Sequence, residues 1–168
     1  LITPSIFCHS PYTCSARTLT HAKSLANAAG VLFQIHAAET RAEADSIQHQ
    51  QGLSPVAYLD RLGILDQRTL LVHAVWVDSD DIALMAQRGT AVAHAPESNM
   101  KLAAGICPVP ELLAVGIRVG LGSDGCASNT NQDLFGEMGI AARLQKAAYR
   151  DPARMGVAAL LKMTTIDG

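Results

Sequence analysis

Val31-Leu32-Phe33-Gln34-Ile35-His36-Ala37-Ala38-Glu39-Thr40 is an apolar, β-branched-rich run that ends in a histidine, with a glutamate three positions on. A strand of a parallel sheet, buried on both faces, reads as a near-continuous apolar run of this kind. Polar groups that do chemistry gather at the carboxyl ends of such strands, where the βα loops begin. His36 is therefore placed at a strand mouth and Glu39 on the loop beyond it. Taken alone, the pair reads better as a core histidine and a solvated glutamate. Recurrence along the chain reverses that preference.

Leu70-Leu71-Val72-His73 and Thr90-Ala91-Val92-Ala93-His94 repeat the pattern, and Ile117 to Asp124 repeats it with a carboxylate at the end. Ile2 to Phe7 is a weaker strand candidate, lowered by Pro4, with His9 just beyond it. Between these runs lie helical patterns with their own punctuation. Ser15 caps a helix to Ala29 that Gly30 ends, with Leu19, Ala22, Ala26 and Ala29 on one face. Thr40 opens a polar helix through Gln51, ended by Gly52, and a short helix spans Val56 to Leu62. Asp78 starts a helix with Asp80 and Asp81 in its first turn, and Gly89 stops it. Ala95 to Pro108 reads as a long loop. Pro110 suits the first turn of a short helix closed by Gly116. Helices over Asp133–Tyr149 and Pro152–Met163 follow.

Strands alternating with helices imply a parallel α/β structure. An open doubly wound sheet would gather its ligands at one switch point, usually with a glycine-rich phosphate loop. No GxGxxG or Walker loop occurs here. Polar groups at His9, His36, His73, His94 and Asp124 fit a closed barrel better, because only a ring brings every strand mouth to one centre. Five strands are too few to close the usual eight.

Bulk composition sets limits. The chain has 168 residues, 49% hydrophobic and 17% charged, which suits one folded body. A formal net charge of -2 leaves no basic footprint, so nucleic acid is not an expected partner. Its four cysteines show neither CxxC spacing nor disulfide density, which fits reduced thiols and a cytoplasmic location. No apolar run is long enough to span a bilayer. The chain opens on Leu1 within an apolar stretch and stops just after a helical pattern, so it reads as a piece of a longer protein.

Imidazoles, a strand-end carboxylate and a loop glutamate are the parts of a metal-assisted hydrolase. Histidine nitrogen and aspartate oxygen suit zinc or ferrous iron. A second carboxylate nearby can move protons to and from water and leaving group. Covalent catalysis by serine lacks the G-x-S-x-G elbow that would support it. His94 reads as a substrate contact or, equally, as a prop for the loop after it. Asn99 and Lys101 divide in the same way. Trp76 reads as a packing anchor, and His21 and His49 as surface residues.

Several stretches together resemble the amidohydrolase superfamily: His36-Ala37-Ala38-Glu39-Thr40, the strand-end His73, His94-Ala95-Pro96-Glu97-Ser98-Asn99-Met100-Lys101-Leu102 and Ser123-Asp124-Gly125-Cys126-Ala127-Ser128-Asn129. Within it they are most similar to the 5-methylthioadenosine/S-adenosylhomocysteine deaminases. His9-Ser10-Pro11-Tyr12-Thr13 and Phe135-Gly136-Glu137-Met138 add to the match, which runs through residues 1–168 in order.

The resemblance implies a partial TIM-like (β/α)8 metal-dependent hydrolase barrel, about strands four to eight with their helices. It implies His36 and Asp124 as ligands of a divalent metal, zinc or iron. Glu39 would relay protons to the purine ring and the departing ammonia, and His73 would orient the attacking water. Asp124 would also take that water's proton, while His9 and Ser128 would hold the purine. The implied reaction is hydrolytic deamination of an adenosine-type nucleoside, with a guanine or triazine aminohydrolase as the alternative. The family's His-x-His pair, which supplies two further ligands, occurs nowhere in these residues. The metal site is thus expected to be incomplete in this chain, and the chain alone inactive. A homo-oligomer, a complementing N-terminal segment or a non-catalytic self-associating half-barrel are the expectations for how it is completed. Ser10 and Cys126 stand where the resemblance expects alanines and carry no assigned role.

Overall fold

A computed structural model describes residues 2–168. Five strands form one parallel sheet in the order β1-β2-β3-β4-β5. They are β1 (Ser5–Cys8), β2 (Leu32–Ala37), β3 (Thr69–His73), β4 (Ala91–His94) and β5 (Val119–Leu121). The helices are α1 (Ala16–Ala29), α2 (Arg41–Gln51), α3 (Pro55–Arg61), α4 (Ser79–Arg88), α5 (Pro96–Lys101), α6 (Val109–Ala114), α7 (Leu134–Tyr149) and α8 (Val157–Thr164).

Each strand lies beside its neighbour in sequence. Parallel crossovers are right-handed almost without exception, so a strand order that never reverses keeps every helix on one side. This is the winding of a barrel segment, not of a doubly wound sheet with its switch point. The register confirms two distinct faces. Phe33, Ile35, Ala37, Leu71, His73, Val92, His94 and Val119 fall on one face and are buried. Gln34, His36, Leu70, Val72, Ala91 and Ala93 fall on the other and are only half-buried. The buried face meets Leu19 and Ala26 of α1, Val56 and Leu59 of α3, Ile82 and Met85 of α4, and Leu160 and Met163 of α8 in one apolar core. Each fully buried side chain of this size contributes roughly 1.5–3 kcal/mol.

Local chemistry fixes the element ends. Ser15, Thr40, Ser54 and Asp78 each accept a backbone N–H of the first helical turn, and Gly30, Gly52 and Gly89 end their helices in the left-handed region. At Gly120 an added Cβ would meet the Asp167 carbonyl at 2.9 Å, so the backbone after α8 can lie directly on β5.

Several expectations are corrected. The first strand is Ser5–Cys8, since Pro4 has no N–H to give a ladder. Within the expected loop 95–108, Pro96 starts the short helix α5, its missing N–H costing nothing at a first turn. The last helix begins at Val157, after a turn over residues 152–155. On α1, Ala29 is exposed and Lys23 is buried instead, its ammonium 2.6 Å from Asp66 and 3.0 Å from the Thr69 hydroxyl. Among the described residues no helix is long and apolar enough to cross a membrane.

Candidate active site

The strand ends converge on one group of side chains. His36 closes β2, His73 closes β3, and Asp124 follows β5. The His36 and His73 rings stack, with centroids 5.3 Å apart and planes at 21°. His73 Nε2 lies 3.6 Å from Glu39 Oε1 and 4.0 Å from Asp124 Oδ2. By strand alternation the His73 side chain belongs on the helix-facing side. Its φ of 80°, followed by 47° at Ala74, turns the chain as it leaves β3. Ala38 (φ 53°) and Asp124 (φ 60°) are also left-handed. Residues with a Cβ held there cost roughly 1–3 kcal/mol each, and such strain concentrates at functional sites.

Hydrogen bonds orient each group. His36 Nδ1 meets the His9 carbonyl at 2.8 Å. That carbonyl can only accept, so Nδ1 carries the proton and Nε2 keeps its lone pair. His73 Nδ1 meets Asn99 Oδ1 at 2.9 Å, which again leaves Nε2 as an acceptor. Burial pushes His73 down and the neighbouring His36 adds to this, outweighing Glu39, Asp124 and Asn99, so the ring is neutral at pH 7. Burial pushes Asp124 up. Donation from Ser98 (2.6 Å), the Gly125 N–H (2.7 Å) and Ser128, together with nearby His73, outweighs burial and holds Asp124 below the usual carboxylate range. The site thus pairs a neutral imidazole with an ionised carboxylate.

His9 lies against His36, ring centroids 5.3 Å apart, with its Nδ1 3.1 Å from the Ser10 hydroxyl and 2.8 Å from that of Thr13. Ser10 is fully buried and braces the His9 ring, a contact its neutral reading overlooks. Ser128 closes a turn on the Gly125 carbonyl at 3.3 Å and sits at the rim of the Asp124 loop. For His94 the two expectations are a substrate contact and a prop for the loop after it. Its ring is fully buried, neither nitrogen has a hydrogen-bond partner among the described residues, and burial, with the neighbouring His73 adding to it, pushes its pKa down to about 3. Trp76 is an anchor, donating Nε1–H to the Ala104 carbonyl at 2.7 Å under the Arg41 guanidinium.

Sequence reasoning missed the supports. Ser98 on Asp124 and Asn99 on His73 come from α5, the helix hidden in the expected loop. Glu137, fully buried on α7, accepts from the Glu97 N–H at 3.1 Å and from Asn129 at 2.6 Å, tying the first turn of α5 to the loop after Asp124. Glu43 takes the Ala38 and Glu39 N–H groups. Thr40-x-x-Glu43 was the visible signal for the last, since it has capping-box spacing.

The donor types suit a divalent metal, but their number is short. His36 Nε2 and an Asp124 oxygen are available, whereas a catalytic zinc usually takes three protein ligands. Among the described residues no group of three His, Cys, Asp or Glu side chains could hold an ion.

Comparison with known proteins shows what the chain is similar to. The profile described as "Amidohydrolase family" matches residues 2–168. A 5'-deoxyadenosine deaminase of Methanopyrus kandleri is 44% identical over 166 residues, 99% of this chain and 38% of that protein. A 5-methylthioadenosine/S-adenosylhomocysteine deaminase of Syntrophobacter fumaroxidans is 47% identical over 160 residues, 95% of this chain and 36% of that protein. Among solved structures, an adenosine deaminase from Xanthomonas campestris with bound zinc superimposes with a TM-score of 0.92 at 37% identity, covering 96% of this chain and 37% of that one. A zinc-complexed atrazine chlorohydrolase from Arthrobacter aurescens gives 0.89 at 26% identity, covering 96% and 36%. The chain therefore spans well under half the length of the proteins it matches.

Proposed function

The chain belongs to the amidohydrolase family, and from that premise we propose that the full-length protein hydrolytically deaminates an adenosine-type nucleoside. Its candidate substrates are methylthioadenosine, S-adenosylhomocysteine, 5'-deoxyadenosine and adenosine; the products are the inosine analogue and ammonia. The single observation that carries the reading is His73 Nε2, an acceptor 3.6 Å from Glu39 and 4.0 Å from Asp124, groups that follow β2 and β5 on either side of it.

In this reading His36 and Asp124 hold a divalent metal, zinc or iron, with further ligands from outside these residues in the full-length protein. Such an ion, when bound, lowers the pKa of a coordinated water towards about 7. Asp124, ionised at neutral pH, takes the proton released as water adds to the amino-bearing purine carbon. His73, neutral with its lone pair facing in, accepts a hydrogen bond from that water and aims it. Both protons come from the water. The one Asp124 takes is handed to Glu39, which delivers it to the neighbouring ring nitrogen. The second, from the hydroxyl of the tetrahedral carbon, passes through Glu39 to the amino group as that carbon collapses to the carbonyl. The amino group leaves as ammonia. His9 and Ser128, at the rim, contact the purine edge. General acid–base transfer of this kind contributes about 10²–10⁴-fold.

The test follows ultraviolet absorbance of methylthioadenosine with the full-length enzyme. Support is a shift from adenine-like to hypoxanthine-like absorbance that Glu39→Gln and Asp124→Asn each slow by about 10²-fold or more. No shift with any adenosine analogue, beside turnover of a guanine or triazine compound, would replace the substrate class.

A further inference from the structure

Glu43 is a carboxylate beside the strand mouths to which the chemistry above gives no work. It lies in the first turn of α2 and is only 3% exposed. Oε1 accepts the Ala38 N–H at 3.0 Å and Oε2 accepts the Glu39 N–H at 2.8 Å. Burial pushes its pKa up to about 6, against the pull of those N–H groups. A buried carboxylate is a costly way to fill space, and an apolar side chain would do so at less expense.

Helix capping explains only a small part of it. Thr40 already caps α2, accepting the Glu43 N–H at 3.2 Å. The reciprocal half of a capping box, directed at the Thr40 N–H, exerts only the weakest pull on the carboxylate. Both hydrogen bonds of the Glu43 carboxylate reach one and two residues further back, into the loop. They grip a peptide in the left-handed region, Ala38 at φ 53°. The opposite side of the same turn is held by β3 and the loop after it. The Ala38 carbonyl accepts from the N–H groups of Val75 (2.9 Å) and Trp76 (2.8 Å), and the Ala37 carbonyl accepts from Ala74 (3.2 Å). Residues 37–39 are therefore clamped between that loop and one side chain. The group aimed by the clamp is the Glu39 carboxylate.

We propose that Glu43 is a positioning residue of the deamination site: its two oxygens hold the Ala38 and Glu39 amides so that the Glu39 carboxylate stays within proton-transfer reach of the His73 side of the purine. The proposal rests on the reading of Glu39 as proton relay. Two acceptor oxygens are required, because the two N–H groups belong to successive residues. Glutamine offers one acceptor and sets its NH2 against a donor. Aspartate keeps the charge but falls a methylene short.

The test compares E43Q, E43D and D81N in the full-length enzyme. Asp81 is a second buried carboxylate, whose hydrogen bonds among the described residues go to Ser54 and the start of α4. A misplacement of about 1 Å can cost on the order of 10²-fold in rate. E43Q is therefore expected to lower kcat for methylthioadenosine by about 10–100-fold with KM within about threefold. D81N loses thermal stability with kcat within about twofold of wild type. Glycine adopts positive φ without the Cβ penalty, so E43Q/A38G recovers part of the lost kcat. If E43Q does not fold, E43D carries the same criteria. A folded variant whose kcat stays within about twofold of wild type overturns the proposal.

If the wild-type enzyme deaminates no adenosine analogue, the reading of the site falls and amide exchange decides the clamp. The Ala38 and Glu39 amides then exchange on the order of tenfold faster in E43Q, with Ile47 in α2 unchanged. Unchanged exchange at both positions defeats the clamp itself.

Discussion

Replacing His94 with leucine should make the protein more resistant to acid, by an amount that grows as pH falls. The imidazole is fully buried, and neither ring nitrogen finds a partner among the described residues. Burial holds its pKa near 3, against about 6.5 when unfolded. Between those values the unfolded chain binds a proton that the native chain refuses, so native stability falls with acid by about 1.4 kcal/mol per pH unit. The contribution is intact above pH about 6.5 and is lost progressively down to about 3. The accumulated loss is about 2 kcal/mol at pH 5 and about 3 kcal/mol at pH 4. Glu43, pushed up to about 6 by burial, pulls the other way over part of this range. The difference between variant and wild type cancels it. Leucine is of similar volume and leaves no orphan donor, so at pH 8 the variant is at least as stable, by roughly 1–3 kcal/mol. Urea unfolding of both full-length proteins at pH 8, 6, 5 and 4 measures this. Curves that run parallel at constant separation would show that His94 protonates equally in both states, and the buried-neutral assignment would be wrong.

Three further outcomes follow from the structure. Lys23→Met should cost roughly 1–2 kcal/mol, less than a fully buried pair because Asp66 is 44% exposed and can rehydrate. Burial pushes Asp66 up, but Lys23, the Arg68 N–H and Thr69 outweigh it, so the pair's contribution is lost as pH falls through the lowered Asp66 value; thermal melts from pH 7 to 3 read it, the variant showing a shallower acid limb. Asn99→Leu frees the His73 ring to choose its tautomer, and should lower kcat by about 10–100-fold with substrate affinity little changed; steady-state kinetics that leave kcat intact would remove Asn99 from the site. The 168-residue chain by itself, dialysed against zinc and measured by atomic emission, should hold well under one equivalent, whereas tight one-to-one binding would mean that ligands beyond His36 and Asp124 come from these residues.

The fold was legible wherever one short-range rule decided the outcome. Thr40 and Gly52 bracket α2 as read from the sequence, and the apolar runs ending in His36 and His73 are strands with those residues at their mouths. The same pattern brings His36, His73 and Asp124 near one another. What stayed hidden depends on partners far along the chain. Lys23 looks like a surface residue until Asp66 and Thr69 fold over it. Asn99 and Ser98 looked like loop residues until α5 set them on His73 and Asp124. His94 shares its motif with His73, yet only the folded chain reveals the positive φ that turns it at His73 and the full burial of the His94 ring. Glu137 joins Glu97 of α5 and the Asn129 loop across 40 and 8 residues, a pairing that helical periodicity cannot reveal.

The strand order has a consequence for how the molecule is made. Because every strand pairs with the one synthesised just before it, each new βα unit finds its docking edge already waiting as it leaves the ribosome. Strand pairing therefore runs between neighbours in sequence, and its loop-closure entropy is met in small steps. The site is assembled by the same sequence of events: His36 arrives with the second unit, His73 with the third, and Asp124 only after the fifth strand. A chain stalled before residue 124 would be largely folded, and chemically blank.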